Sequence, residues 1–187
     1  WPELATSEQL NRCEQWLAPL LETLTQDIDP EQLSPTTQRA YVTQVQQLRD
    51  LQKRCSDLRT NPATFNLPGR LKARLSQEKP LTDRLRSLES PLREAKHYYA
   101  NARQILQKPN PDLLALAVQK HERGIAFFEG ELADSVRMSS LSPAEKKTLL
   151  QLASQAKLAA KDYLGWCESQ VFSQQDPSPN SPSPTRD

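Results

Sequence analysis

"SPAEKKTLLQLASQAKLAAKDYLGWCESQVF", residues 142–172, reads as one long helix. Ser142 offers a side-chain oxygen to the first turn, and Pro143 stands at the first helical position, where its missing N–H costs nothing. Glu145 lies three residues after the cap and can reach back to the cap amide, completing a capping box. Leu149, Leu152, Ala156, Ala160, Tyr163, Cys167 and Val171 then recur at helical spacing and form one apolar stripe. A single face of that length needs several other helices to cover it, so this stretch sets the expected class: an all-α protein.

The same device recurs upstream. Ser34-Pro35, Ser90-Pro91 and Asn110-Pro111 repeat the pattern of cap and proline, and predict helix starts. The first helix is expected over Ser7 to Ile28, with Leu10, Cys13, Leu17, Leu20 or Leu21, and Leu24 inward, and with a kink at Pro19. The second is expected over Pro35 to Leu58, burying Tyr41, Val45, Leu48, Leu51, Cys55 and Leu58. "RTNPATFNLPGR", residues 59–70, reads as an ordered loop. Short helical pieces follow at Leu71–Leu75 and Leu81–Leu88. Longer ones are expected over Pro91–Gln107, Pro111–Val136 and Pro143–Phe172. The sum is five to seven helices in antiparallel hairpins. Residues 1–172 form the expected helical domain. The proline- and serine-rich residues 173–187 read as a disordered linker or tail, because they have almost nothing to bury.

Composition agrees. Glycine accounts for only 4 of 187 residues, and 25% of the chain is charged, which suits helices better than sheets. No apolar run is long enough for a membrane span, and no basic-then-apolar leader opens the chain. Trp1 in place of methionine reads as processing or as excision from a longer chain. Cys13, Cys55 and Cys167 are odd in number and lack a C-x-x-C pair, so reduced thiols and a cytoplasmic location are expected. Charge is uneven: net −6 over residues 1–33 and net +6 over 70–108. The acidic first helix either lies against the basic stretch or both face other parts of a larger protein. Tyr98-Tyr99 within the basic stretch raises nucleic-acid binding, but Asp83, Glu89 and Glu94 interrupt the charge, and no nucleic-acid partner is expected.

His121-Glu122 begins like the zinc-peptidase signature H-E-x-x-H, yet the position of its second histidine holds Ile125. His97 is remote in sequence. His121 also fits the stripe Leu114, Ala117 or Val118, Ile125, Phe128 and Leu132, which makes it a histidine of a helix interface. Glu129/Glu131 and Glu89/Glu94 read as solvated faces. Gly124 and Gly130, inside a helical pattern, suggest close approach of a neighbouring helix or an end near Gly130. No catalytic, cofactor-binding or metal-ligating residue is nominated.

Three stretches carry a family resemblance: "DPEQLSPTTQRAY" (29–41), "LRTNPATFN" (58–66) and "LTDRLRSLESPLREAKHYYANARQILQKPNPDLLALAVQKHERGIAFFEGEL" (81–132); "PSPTRD" (182–187) adds to it. In their order and spacing they resemble the N-terminal helical region of the bacterial domain of unknown function 885 family, a set of metallopeptidase-like proteins. The resemblance implies a zinc site built from a His-Glu motif and a further histidine in a downstream segment. None of those ligands maps onto a residue here. It therefore implies a non-catalytic portion of a zinc-dependent hydrolase, without cofactor of its own. Its partner would be a C-terminal catalytic region of the same protein, and the whole would act on peptides. A stand-alone helical scaffold or interaction module is the other expectation.

Overall fold

The computed structural model describes residues 7–107 and 109–175, the side chains of 172–175 excepted. The expected tail lies outside the described residues from position 176 onward. Among the described residues there are nine α-helical segments, two 3-10 turns and no strand. The helices are α1 (Ser7–Gln26), α2 (Pro35–Thr60), α3 (Leu67–Leu75), α4 (Leu81–Ser87), α5 (Glu89–Arg93), α6 (Ala95–Ile105), α7 (Pro111–Glu129), α8 (Glu131–Met138) and α9 (Pro143–Gln175). α4, α5 and α6 are one run broken at single residues, and α7 and α8 meet at Gly130.

α9 is the axis. Its 33 residues extend about 50 Å, and α5, α6, α7 and α8 pack along it. The stripe read from the sequence faces inward: Leu149, Leu152, Ala156, Ala160, Tyr163 and Cys167 are buried, and Val171 is partly so. The capping box forms. Glu145 Oε2 accepts from the Ser142 amide at 2.8 Å and from its hydroxyl at 2.7 Å, and Ser142 Oγ accepts from the Glu145 amide at 3.3 Å. The helix runs three residues beyond the expected boundary at Phe172.

Ser34 and Asn110 cap α2 and α7 as expected, but Ser90 does not start a helix. α5 begins earlier, at Glu89, and Ser90 lies inside it. Pro91 still decides the local structure. It cannot donate to the Ser87 carbonyl, so α4 stops there, and Arg74 Nη1 donates to that carbonyl at 3.3 Å instead. A second break at Glu94 divides the expected helix 91–107 into α5 and α6. The expected loop 59–70 is also largely helical. Asn61 caps a 3-10 turn at Pro62–Thr64, and Asn66 caps α3 from Leu67. Asn61-Pro62 repeats the cap-and-proline device, and after Asn66 the proline, Pro68, stands at the second helical position. α7 ends at Glu129 rather than continuing to Val136.

α1 and α2 form an antiparallel hairpin. Cys13 meets Cys55, Glu14 meets Arg59, and the Tyr41 hydroxyl donates to the Leu24 carbonyl at 3.0 Å. α1 ends at Gln26, short of Ile28, and continues through Pro19. The inward stripe of α2 is thinner than its sequence suggests. Val45 and Cys55 are buried, whereas Leu51 is exposed. The hairpin joins the body at its base, where the Gln107 and Asn110 amides donate to the Arg59 and Thr60 carbonyls at 3.2 and 2.9 Å. These bonds satisfy carbonyls that a helix C-terminus leaves open.

Candidate functional site

The polar centre of the molecule is His121. α7 places it one turn beyond Ala117, on the buried stripe, and it is fully enclosed. Its Nδ1 lies 2.8 Å from the Ala117 carbonyl and its Nε2 lies 3.2 Å from the Phe65 carbonyl. A neutral imidazole has one N–H for these two acceptors. Burial nevertheless lowers the His121 pKa, against the raising effect of the two carbonyls.

Aromatic rings close around it. Tyr99 stands edge-on at 5.8 Å and Tyr163 lies tilted at 5.0 Å, and these two tyrosines stack on each other at 4.7 Å. Phe65 and Tyr98 extend the cluster on one side and Trp166 on the other. The Tyr163 hydroxyl donates to the Pro62 carbonyl at 3.2 Å. The turn at 62–65 thus gives one carbonyl to α7 and one to α9. Four separate pieces of the chain are tied at one point.

The chemistry of this knot is that of a fastening. Burial pushes Tyr98 up to about 12 and holds Tyr99 and Tyr163 well above the ordinary phenol range. It likewise pushes the Cys167 thiol up to about 12. These groups stay protonated at neutral pH, so none is an activated nucleophile or base.

Glu122 points to solvent while His121 points inward, so the pair does not act on one ligand. His97 is exposed, in a surface groove of about 510 Å³ lined by Arg93, Lys96, Arg103 and Asp162. It does not meet His121. Among the described residues no group of three His, Cys, Asp or Glu side chains is placed to hold a metal ion.

Glu129 and Glu131 diverge across Gly130. Glu129 pairs with Lys157, which lowers its pKa, and Glu131 pairs with Lys72 at 2.7 Å. Glu89 pairs with Arg93 at 2.7 Å. Gly124 is a close approach, as its sequence position suggests: an added Cβ would lie 2.7 Å from Pro68 Cβ.

Part of the basic stretch is tied to its own fold, while Lys72, Lys79, Arg86, Arg93 and Lys96 stay exposed. Arg70 donates to the Thr64 carbonyl at 3.1 Å and lies over the Tyr98 ring, Arg84 donates to the Leu75 carbonyl, and Arg86 pairs with Glu145 at 3.0 Å. Arg103 donates to the Asp162 carbonyl at 2.5 Å. The acidic first helix sends Glu14 to Arg59 of α2 instead. One juxtaposition was not anticipated from the sequence. Cys13 and Cys55, on separate helices, have their sulfurs 3.8 Å apart.

Comparison with known protein families gives no match, and comparison with curated proteins gives none either. Among solved structures, the chain is similar to one described as "a putative lipoprotein of unknown function from Shewanella oneidensis", with a TM-score of 0.75 and 22% sequence identity. The match covers 97% of this chain and 34% of that one. At that identity the likeness concerns the fold. The chain spans about a third of the length of that protein.

Proposed function

We propose that this chain is a non-catalytic helical portion of a longer zinc-dependent hydrolase, a peptidase, of the domain of unknown function 885 type. The observation that carries the longer-protein part of the reading is a fold shared over 97% of this chain with a protein of which the match covers 34%; the hydrolase part rests on the family resemblance. The placement of the resembling motifs supports it. "LRTNPATFN" meets "HYYANARQ" and "VQKHERG" at the His121 knot, through the Phe65 carbonyl and the rings of Tyr98 and Tyr99. Motifs that converge on a neutral buried fastening shape a support, and the reacting groups belong elsewhere in the parent protein.

In this reading the zinc ligands and the general base lie outside residues 1–187, and the chain forms one wall of a peptide-binding cleft. Its cytoplasmic location, expected from reduced cysteines, is part of the proposal. The structural neighbour is described as a putative lipoprotein, a description of that protein. Among the described residues, no helix is long and apolar enough to cross a membrane.

The test compares the natural product with this chain. The natural product should carry stoichiometric zinc and hydrolyse peptides until a chelator removes the metal, whereas the chain alone should do neither. Tight stoichiometric zinc on the chain alone would overturn the reading. A second reading, a stand-alone interaction module, is favoured by the closed core around α7 and α9, where Leu114, Leu132 and Tyr163 are fully buried. It predicts a natural product without hydrolase activity.

A further inference from the structure

The α1–α2 hairpin carries two cysteines at one level. Cys13 on α1 and Cys55 on α2 are 42 residues apart in sequence, and the Cys55 thiol points at the Cys13 sulfur across 3.8 Å. Both are free thiols, Cys55 buried and Cys13 partly buried. The register that joins them is fixed on both sides. One turn away, Arg59 Nε donates to both carboxylate oxygens of Glu14 at 2.7 and 2.9 Å, and Arg59 Nη2 reaches Asn11 at 2.5 Å. Toward the far end, Tyr41 holds the Leu24 carbonyl. The sulfurs are therefore held in van der Waals contact by the helix pairing. A disulfide bond is about 2.05 Å long, so closure brings the two sulfurs together from their present contact at 3.8 Å.

We propose that Cys13 and Cys55 are a redox couple that closes into an intramolecular disulfide when the chain meets a disulfide oxidant, stapling α1 to α2. The proposal does not depend on what the parent protein does. Cys13, the more accessible thiol, attacks one sulfur of the oxidant as its thiolate. That breaks the oxidant's S–S bond, releases one thiolate and leaves a mixed disulfide on Cys13. Cys55 then loses its proton to solvent and attacks Cys13 Sγ, releasing the second thiolate. Two protein thiols are oxidised, and one oxidant disulfide is reduced to two thiols. Cys167 takes no part, because it is enclosed in the core beside Tyr163.

The environment sets the rate. Burial and the neighbouring Cys13 hold the Cys55 thiol at about 11, while the Arg59 guanidinium pulls the other way. The resolving step is therefore slow at neutral pH and accelerates as pH rises. The gain falls where the fold is thin, since Leu17, Leu21 and Val45 are the buried residues of the hairpin's middle.

The experiment uses the full chain, reduced, freed of reductant and incubated with oxidised glutathione at mildly alkaline pH. Thiols are counted in denaturant, the intact mass is recorded and linked peptides are mapped. The expected result is a monomer that has lost two hydrogens, keeps one titratable thiol and yields a Cys13–Cys55 peptide. Its thermal midpoint should rise by roughly 5 to 10 °C. Cys167→Ser should leave the cross-link intact, and Cys13→Ser and Cys55→Ser should each abolish it. Retention of all three thiols, a stable glutathione adduct on Cys13, a link involving Cys167 or a dimer joined between chains would each overturn the proposal. The wild-type thiol count decides even if a variant fails to fold.

Discussion

Two glycines in long helices make opposite predictions for the same substitution. Glycine in a helix interior costs about 1 kcal/mol relative to alanine. At Gly165, inside α9, an added Cβ meets nothing within 4 Å. Gly165→Ala should therefore stabilise the chain by about 0.5–1 kcal/mol. At Gly124, inside α7, the same Cβ would lie 2.7 Å from Pro68 Cβ and 2.9 Å from Pro68 Cγ. Carbon atoms in ordinary contact stand about 3.5–4.0 Å apart, so α3 and α7 would have to separate by about 1 Å. The proline ring cannot rotate away, and it is buried at the start of α3. Overpacking of this kind costs about 1–3 kcal/mol. After the helix-propensity gain, Gly124→Ala should destabilise by about 1–2 kcal/mol. Urea unfolding followed by helical circular dichroism reads both variants, with unchanged slopes confirming comparable end states. A Gly124→Ala chain as stable as wild type would refute the packing of α3 on α7 described here.

Other expectations concern the polar fastenings. His121→Leu removes the imidazole's one N–H from between the Ala117 and Phe65 carbonyls and leaves Phe65 with the Leu67 amide, and urea unfolding should show a loss of about 1–3 kcal/mol. Tyr163→Phe keeps the ring stack and removes only the bond to Pro62, so its loss should be smaller, about 1–2 kcal/mol. Burial lowers the His121 pKa below its ordinary 6.5, so the folded chain binds fewer protons than the unfolded one. Stability should be complete above pH 6.5 and fall as pH drops through the folded value, a loss absent from His121→Leu. Glu145 adds an acidic window. Its bonds from Ser142 and Arg86 hold it at about 2 instead of 4.5, so its contribution is present above pH 4.5 and lost as pH falls toward 2. Glu145→Gln should flatten that part of a thermal-midpoint profile against pH.

Local chemistry made much of this fold readable. Ser34, Asn110 and Ser142 mark helix starts because capping and proline geometry act within four residues. The α9 stripe is readable because one face is buried and the other is open to solvent, which leaves a strict helical period. Ser90-Pro91 has the same local chemistry and a different outcome. There Arg74, from another helix, satisfies the carbonyl that Pro91 leaves open, and no local pattern encodes that partner. The turn at 62–65 was hidden for a related reason. Asn61 and Asn66 are ordinary caps, but the segment becomes ordered by giving carbonyls to His121 and Tyr163, which follow it by 56 and 101 residues. The inward orientation of His121 was legible from its stripe, whereas the rings around it were not. The Cys13–Cys55 contact depends on the register of two antiparallel helices, and a count of three cysteines without a C-x-x-C pair says nothing about register. The ion pairs of Glu129 and Glu131 point apart because the chain breaks at Gly130, a break that the glycine itself signals.

The central claim is that this helical unit supports a longer hydrolase. The most direct measurement is the intact mass of the natural product, isolated from its source cells with an antibody against an epitope within residues 7–175. The account predicts a mass well above the 21.2 kDa of this chain, with the additional sequence carrying the zinc ligands. A product of 21.2 kDa would contradict it and would make the stand-alone interaction module the correct reading.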